Sequence, residues 1–135
     1  MRDLRISVTD RCNFRCTYCM PFDEYNWIER NQVLSFEEIV RLTDIFSEFG
    51  IHKVRLTGGE PLVRRNLDGL VRQLSIFPGL EVSLTTNGAL LGEQAAGLFD
   101  GGPLPRFHAR VALLWPSSSG RRKVSRRMTC TGTGF

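Results

Sequence analysis

Three segments of the chain alternate apolar and polar residues, and an amphipathic helical pattern follows each of them. The alternating segments are residues 4–8, 53–57 and 81–85, and their period of two is typical of β-strands. In the helical segments, residues 36–49, 67–77 and 90–99, apolar positions recur three to four residues apart. Three strand–loop–helix units in succession predict an α/β fold with a parallel sheet and right-handed crossovers.

The helix ends carry recognisable signals. Ser35 is followed three residues later by Glu38, which predicts a capping box at the start of the first helix. Asn66 is a candidate N-cap for the second helix. After the third helix the pattern weakens: residues 111–115 are compatible with a fourth strand, no amphipathic helix follows, and we expect no regular element beyond residue 116. The edge of the third strand is therefore expected to lack a proper neighbour.

The loops that follow the three strands contain the candidate functional residues. In parallel sheets, sites lie beyond the carboxyl ends of the strands. Cysteines follow the first strand, Gly58-Gly59-Glu60-Pro61 follows the second, and Thr86-Asn87-Gly88 follows the third. We therefore expect these three loops to converge in space.

Three cysteines, Cys12, Cys16 and Cys19, have the spacing C-x3-C-x2-C. Clustered thiolates of this kind suit an iron–sulfur cluster, which usually takes four cysteines. Three ligands would leave one iron open, and an open coordination position is the mark of a metal centre that does chemistry. The alternative is a zinc site, but zinc sites usually pair two C-x2-C or Cys/His motifs, and no second pair is nearby.

Length, composition and charge limit the class of protein. A chain of 135 residues, 41% hydrophobic and 24% charged, is typical of one globular domain. The absence of a long apolar run and of an apolar leader predicts a cytoplasmic protein without a membrane partner. Residues 1–100 carry a net charge of −3, whereas residues 101–135 contain seven basic and no acidic residues. Such a tail could be a nucleic-acid arm, although we consider nucleic acid an unlikely partner.

Arg5 and Arg55 lie inside the first and second predicted strands. A parallel sheet wrapped by helices offers no solvated face, so an interior arginine must meet an anion. Guanidinium groups suit phosphate. We therefore predict an anionic substrate. The glycines of residues 58–59 permit close approach of a ligand, and the polar Thr85-Thr86-Asn87-Gly88 segment suits substrate contacts.

Three segments resemble the radical S-adenosylmethionine enzymes, and in particular the GTP 3′,8-cyclase branch of molybdenum cofactor biosynthesis. They are Arg2-Asp-Leu-Arg-Ile-Ser-Val-Thr-Asp-Arg-Cys-Asn-Phe-Arg-Cys-Thr-Tyr-Cys-Met-Pro21, Val54-Arg-Leu-Thr-Gly-Gly-Glu-Pro-Leu-Val-Arg64 and Leu84-Thr-Thr-Asn-Gly88. The resemblance covers residues 2–98. It implies that these units form the first half of an incomplete TIM-like (βα)6 radical SAM barrel.

The resemblance also implies roles for individual residues. Cys12, Cys16 and Cys19 would bind a 4Fe-4S cluster whose open iron chelates S-adenosylmethionine. Tyr18 and Gly59 would contact S-adenosylmethionine. The GTP-binding residues would be Arg5, Arg55 and Thr85.

The implied reaction converts GTP to its cyclic 3′,8 derivative. A 5′-deoxyadenosyl radical would remove the ribose 3′ hydrogen, and the ribose radical would attack C8 of guanine. Implied partners are GTP, S-adenosylmethionine and an electron donor of the flavodoxin or ferredoxin type; a homodimer is possible. The alternatives are another radical SAM enzyme, such as a peptide maturase, and a non-catalytic metal-binding or nucleic-acid-binding module.

The chain departs from this family after the third unit. The fourth strand characteristic of the family and a second cysteine trio are missing, and Cys130 stands alone. We expect residues 1–100 to form a partial radical SAM core and residues 101–135 to be an atypical basic tail. Our hypothesis is that the tail is poorly ordered or arises from a shifted reading frame after about residue 98, which would leave the cyclase activity impaired or lost.

Overall fold

The computed structural model describes residues 2–16, 19–20, 24–99, 107–113 and 124–129. Residues 112–113 and 124–129 are described by their backbone alone. One five-stranded sheet has the order β1-β2-β3-β4-β5. Its strands are β1 (Asp3–Ser7), β2 (Lys53–Thr57), β3 (Glu81–Thr86), β4 (Phe107–Leu113) and β5 (Val124–Thr129). The first four are parallel, and β5 runs antiparallel to β4. The predicted α/β class and parallel sheet are thereby confirmed.

Three helices connect the strands: α1 (Phe36–Glu48), α2 (Leu67–Ser75) and α3 (Leu91–Phe99). Short 3₁₀ turns occupy Arg30–Gln32 and Pro61–Val63. The capping box of α1 is confirmed, since Glu38 N donates to Ser35 Oγ at 3.2 Å and Ser35 N donates to Glu38 Oε2 at 2.7 Å. Asn66 does precede α2, but the prediction that its side chain caps the helix is wrong. Its left-handed backbone, with φ of 60°, makes no side-chain cap bond.

The region after α3 differs from the sequence-based expectation. The fourth strand begins at Phe107, four residues earlier than predicted, and pairs along β3 from Val82 to Thr86. The expectation that the third strand has an open edge is therefore wrong. A further strand, β5, lies where no element was expected. This strand pairs with β4, and the alternation of apolar and polar residues in Val124–Thr129 is too weak to predict it from the sequence.

The two faces of the parallel sheet are chemically distinct. Because side chains alternate along a strand, residues matched in register share a face. One face carries the buried core strand residues, which pack with buried residues of all three helices. These strand residues are Ile6, Val54, Leu56, Val82, Leu84, Phe107, Ala109 and Val111, and Val8, just after β1, joins them in the core. The other face is polar.

The polar face carries Arg5, Arg55, Ser83 and His108 in one row of the register. Arg5 is exposed and Arg55 half-buried. The expectation that both faces of the sheet are covered is wrong for Arg5, which lies on the edge strand β1. Within the described ranges, no helix has the length and apolar character needed to cross a membrane.

Candidate active site at the carboxyl ends of the strands

The loops after β1 and β2 run side by side beyond the ends of their strands. Gly59 N donates to Thr9 O and Glu60 N donates to Arg11 O, both at 2.8 Å. A Cβ placed on Gly59 would lie 2.4 Å from Arg11 O and 2.5 Å from Asp10 O. Side chains therefore cannot fit here, because the backbone that leads to Cys12 occupies the space. The glycine holds the cysteine loop against the second loop, and its backbone remains exposed on the other side.

Hydrogen bonds join the described parts of the cysteine loop. Cys19 N and Met20 N both donate to Cys16 O, at 3.0 and 2.7 Å. Cys12 and Cys16 are half-buried, Cys19 is exposed, and all three thiols are free. Burial raises the pKa of the Cys16 thiol, and the neighbouring Cys19 and Cys12 raise it further. As free thiols on one loop, all three are available as ligands.

No group of three or more His, Cys, Asp or Glu side chains within the described ranges is arranged to hold a single metal ion. A 4Fe-4S cube is larger, and each thiolate binds a different iron. Tyr18, which was predicted to contact S-adenosylmethionine, lies outside the described residues.

Glu60 is a buried carboxylate that joins the second and third loops. It is only 1% exposed. Its Oε1 accepts hydrogen bonds from Thr86 Oγ1 at 2.7 Å and from Leu62 N at 3.1 Å, and its Oε2 accepts one from Asn87 N at 2.6 Å. Three donors offset much of the cost of burying the charge. We did not single out Glu60 from the sequence, although its place in the Gly-Gly-Glu-Pro segment was the available signal.

Asn87 joins the third loop to the cysteine loop. Its Nδ2 donates to Asn13 Oδ1 at 2.8 Å and lies 4.0 Å from Cys12 Sγ. Phe14 N donates to the same sulfur at 3.4 Å. The three loops therefore converge at the carboxyl edge of the sheet, as the sequence predicted.

The predicted substrate residues share the polar face of the sheet. Arg5 and Arg55 are directly matched in the β1–β2 register, and Thr85 lies on the same face as Ser83, the partner of Arg55. Arg5 Nε donates to Thr57 Oγ1 at 3.2 Å. In contrast, Arg55 Nε is buried and has no hydrogen-bond partner within the described part of the chain. A buried N–H without an acceptor is costly and indicates a site for an external one.

Comparison with known proteins decides the family. A model of the radical SAM superfamily matches residues 6–127. The chain belongs to the radical SAM superfamily. Membership implies a 4Fe-4S cluster and S-adenosylmethionine as cofactors, and the free thiols of Cys12, Cys16 and Cys19 are suitable cluster ligands.

Several curated radical SAM relatives are GTP 3′,8-cyclases. The chain is 52% identical over 107 residues to the one from Staphylococcus epidermidis, 50% to that of Staphylococcus haemolyticus and 49% to that of Staphylococcus aureus. In each case the match covers 76% of this chain and 32% of the relative. The chain therefore spans about a third of the length of these relatives.

The fold resembles a solved structure, the crystal structure of BtrN in complex with AdoMet and 2-DOIA. The TM-score is 0.55 at 22% identity, and the match covers 78% of this chain and 43% of that one. The predicted partial radical SAM barrel is thereby confirmed at the level of fold.

A cavity of about 630 Å³ lies beside the cysteine loop of this radical SAM core. The described residues that line it include Arg11, Arg30, Arg64 and Arg65, and Asp10 is the one carboxylate among them. Arg64 has a structural role, because its Nη1 and Nη2 donate hydrogen bonds to Val8 O and Leu34 O at 2.8 and 2.7 Å. The other three side chains are exposed, so this rim of the core is positively charged.

Proposed function

We propose that this chain provides the cluster-binding first units of a radical SAM enzyme that converts GTP to (8S)-3′,8-cyclo-7,8-dihydroguanosine 5′-triphosphate, a lyase reaction of molybdenum cofactor biosynthesis. The observation that carries the proposal is the Arg5–Arg55 pair on the polar face, with the buried Nε of Arg55 lacking a described acceptor. About 50% identity to GTP 3′,8-cyclases supports the choice of GTP as the anion.

The proposed functional residues lie in the three loops and on the polar face of the sheet. Cys12, Cys16 and Cys19 hold the cluster, which together with S-adenosylmethionine supplies a 5′-deoxyadenosyl radical when bound. The exposed backbone at Gly59 offers carbonyl groups to the amino group of S-adenosylmethionine, since Gly59 N already donates to Thr9 O. Tyr18 provides a further contact. Arg5 and Arg55 bind the phosphates of GTP, and the Thr85 hydroxyl binds a polar group of the same substrate.

The cluster requires electrons, and we propose that a flavodoxin-type or ferredoxin-type protein delivers them. The arginine-lined cavity lies immediately beside Thr9, Asp10 and Arg11, which lead into Cys12. A positively charged surface attracts an acidic partner and speeds its encounter. We further propose that the protein acts in the cytoplasm, where a reducing environment protects thiolates and clusters, and that it can form a homodimer.

The deciding experiment measures two ligands under anaerobic conditions after reconstitution with iron and sulfide. Cleavage of S-adenosylmethionine and binding of GTP together support the cyclase assignment. Cleavage without GTP binding would instead favour another radical SAM enzyme, such as a peptide maturase. Failure to take up iron would contradict both and leave a non-catalytic module.

A further inference from the structure

Asn87 approaches the cysteine loop from the loop after β3, and it is 75 residues away in sequence from Cys12. Its Nδ2 donates to Asn13 Oδ1 at 2.8 Å and reaches Cys12 Sγ at 4.0 Å. Sulfur is a large and weak acceptor, so N–H donors approach it at longer distances than they approach oxygen. Asn87 is therefore placed beside a proposed cluster ligand without being a ligand itself.

The orientation of the Asn87 amide is fixed by its neighbours. Ala89 N donates to Asn87 Oδ1 at 3.0 Å, so this oxygen faces the backbone of the third loop. The Nδ2 group must then face the cysteine loop, so the amide cannot be flipped without losing both bonds. Asn87 N is held in addition by Glu60 Oε2 at 2.6 Å. Since Glu60 is 1% exposed and also bonded to Thr86, the support is rigid.

The three cysteines are not equivalent in this environment. Phe14 N also donates to Cys12 Sγ, at 3.4 Å. Cys12 thus has two N–H groups within reach, whereas the described residues place no N–H donor on the sulfur of Cys16 or Cys19. Hydrogen bonds to cluster sulfurs are one of the means by which a protein sets the reduction potential.

We propose that Asn87 is a positioning residue whose side-chain N–H stabilises the Cys12 thiolate of the bound cluster and raises the reduction potential of the cluster. Glu60 supports it by accepting a hydrogen bond from the Asn87 backbone N. The inference rests on the proposed function in one respect, the binding of a 4Fe-4S cluster by the three cysteines. One-electron reduction, with the electron supplied by a donor protein or a chemical titrant, adds negative charge to the cluster and its sulfurs. An N–H dipole directed at Cys12 Sγ therefore stabilises the reduced state more than the oxidised state.

The test compares the reconstituted full chain with its Asn87→Leu and Asn87→Asp variants in an anaerobic redox titration followed by electron paramagnetic resonance. Leucine has a similar size and no N–H. Aspartate retains an acceptor for Ala89 N but replaces the donor with negative charge. At a fixed potential we expect the ratio of reduced to oxidised cluster to fall by at least about threefold in Asn87→Leu, and further in Asn87→Asp; a tenfold change corresponds to about 59 mV for one electron. The control, Asn31→Leu in an exposed turn, should leave the ratio unchanged.

Iron and sulfide content separates the possible failures. If the unmodified chain binds no cluster, the proposed function fails and this inference fails with it. If the cluster is present and both Asn87 variants keep the original ratio, only this inference is overturned. If Asn87→Leu fails to assemble a cluster, the ratio of reduced to oxidised cluster in Asn87→Asp tests the inference instead. Loss of the cluster from both variants, with the circular dichroism of the fold preserved, would assign Asn87 to assembly and overturn a role in setting the potential.

Discussion

Arg5 and Arg55 face each other across the β1–β2 pair, on the same side of the sheet. Two like charges directly opposite each other on neighbouring strands are unfavourable. The Thr57 hydroxyl accepts a bond from Arg5 Nε, but Arg55 Nε has no described acceptor. An anion bound between the two guanidinium groups would remove both difficulties, because it neutralises the repulsion and satisfies the buried N–H.

Replacing Arg55 with alanine should weaken GTP binding more than binding of S-adenosylmethionine. Loss of a charge-assisted hydrogen bond to phosphate costs about 1.5–3 kcal/mol. Equilibrium titration of both ligands measures the difference. The matched control is Arg41→Ala, an exposed arginine of α1 away from the polar face, which should change neither affinity. Equal losses for the two ligands in Arg55→Ala would refute the assignment.

Anaerobic reconstitution should load about four irons per chain, because one cysteine trio supports one cube. Cys16→Ala should abolish stable loading, and Cys130→Ala, which removes the cysteine outside the trio, should not. Iron and acid-labile sulfide are assayed per chain. A value near eight irons, or an unchanged cluster in Cys16→Ala, would contradict a single cluster at Cys12, Cys16 and Cys19.

Substituting Gly59 with alanine should destabilise the fold by about 1–3 kcal/mol, the usual cost of overpacking. The new methyl group would meet Arg11 O at 2.4 Å, so the cysteine loop must move away. Urea unfolding measures the free energy. Gly69→Ala in α2 is the control, since nothing lies within 4 Å of its Cβ. It should be stabilising by about 0.5–1 kcal/mol, the helix preference of alanine over glycine. Equal effects at the two glycines would show that the two loops are not in close contact.

Reduction of the cluster by an acidic flavodoxin-type protein should slow as ionic strength rises, because attraction between exposed charges is screened by salt. Arg11→Gln combined with Arg65→Gln should slow it as well, without affecting reduction by dithionite. Arg41→Gln, which removes one exposed positive charge from α1, serves as the control and should leave the rate nearly unchanged. Stopped-flow absorbance gives the rates. If the double variant and the original chain are reduced by the donor at the same rate, the cavity is not the docking surface.

A polypeptide consisting of residues 1–135 alone should not form the cyclic product at a rate typical of the family. Its one cysteine trio accounts for one cluster, and the second cysteine trio that the resemblance leads us to expect is absent from residues 1–135. Positioning of reacting groups contributes up to about 7–11 kcal/mol in well-oriented reactions. Slow, uncoupled cleavage of S-adenosylmethionine is the most we expect. Many turnovers to the cyclic product, from protein verified by mass to end at Phe135, would disprove this.

The first three βα units could be predicted because their signals are local. Ser35 and Glu38 lie one helical turn apart and form the predicted capping box. The alternation in residues 4–8 and 53–57 also placed Arg5 and Arg55 inside their strands. The cysteine loop could be recognised by spacing alone.

What could not be predicted depends on contacts between distant segments. The Glu60 carboxylate binds Thr86 and Asn87, which are 26 and 27 residues away. The close neighbour of Gly59 was expected to be a ligand, but the structure also shows the backbone of Arg11 there. The left-handed backbone of Asn66 depends on the path from the 3₁₀ turn at Pro61–Val63 into α2 and is not evident from its residue type.

The origin of the segment after about residue 98 remains a hypothesis that DNA can test. If a shifted reading frame produced it, one of the other two frames should encode a fourth strand characteristic of the family. Sequencing the underlying DNA from an independent sample settles the point. Absence of such a strand from both alternative frames would reject the hypothesis.

The antiparallel pairing of β5 with β4 has a consequence for assembly. A barrel grows by adding each new parallel strand to the last free edge, and here β5 already occupies the edge of β4 from His108 to Leu113. Any later βα unit, whether from the same polypeptide or supplied separately, must displace β5 before it can dock. β5 therefore competes with any such unit for the edge of β4. Removing residues 124–129 should make this part of the barrel bind a separately expressed second half more readily.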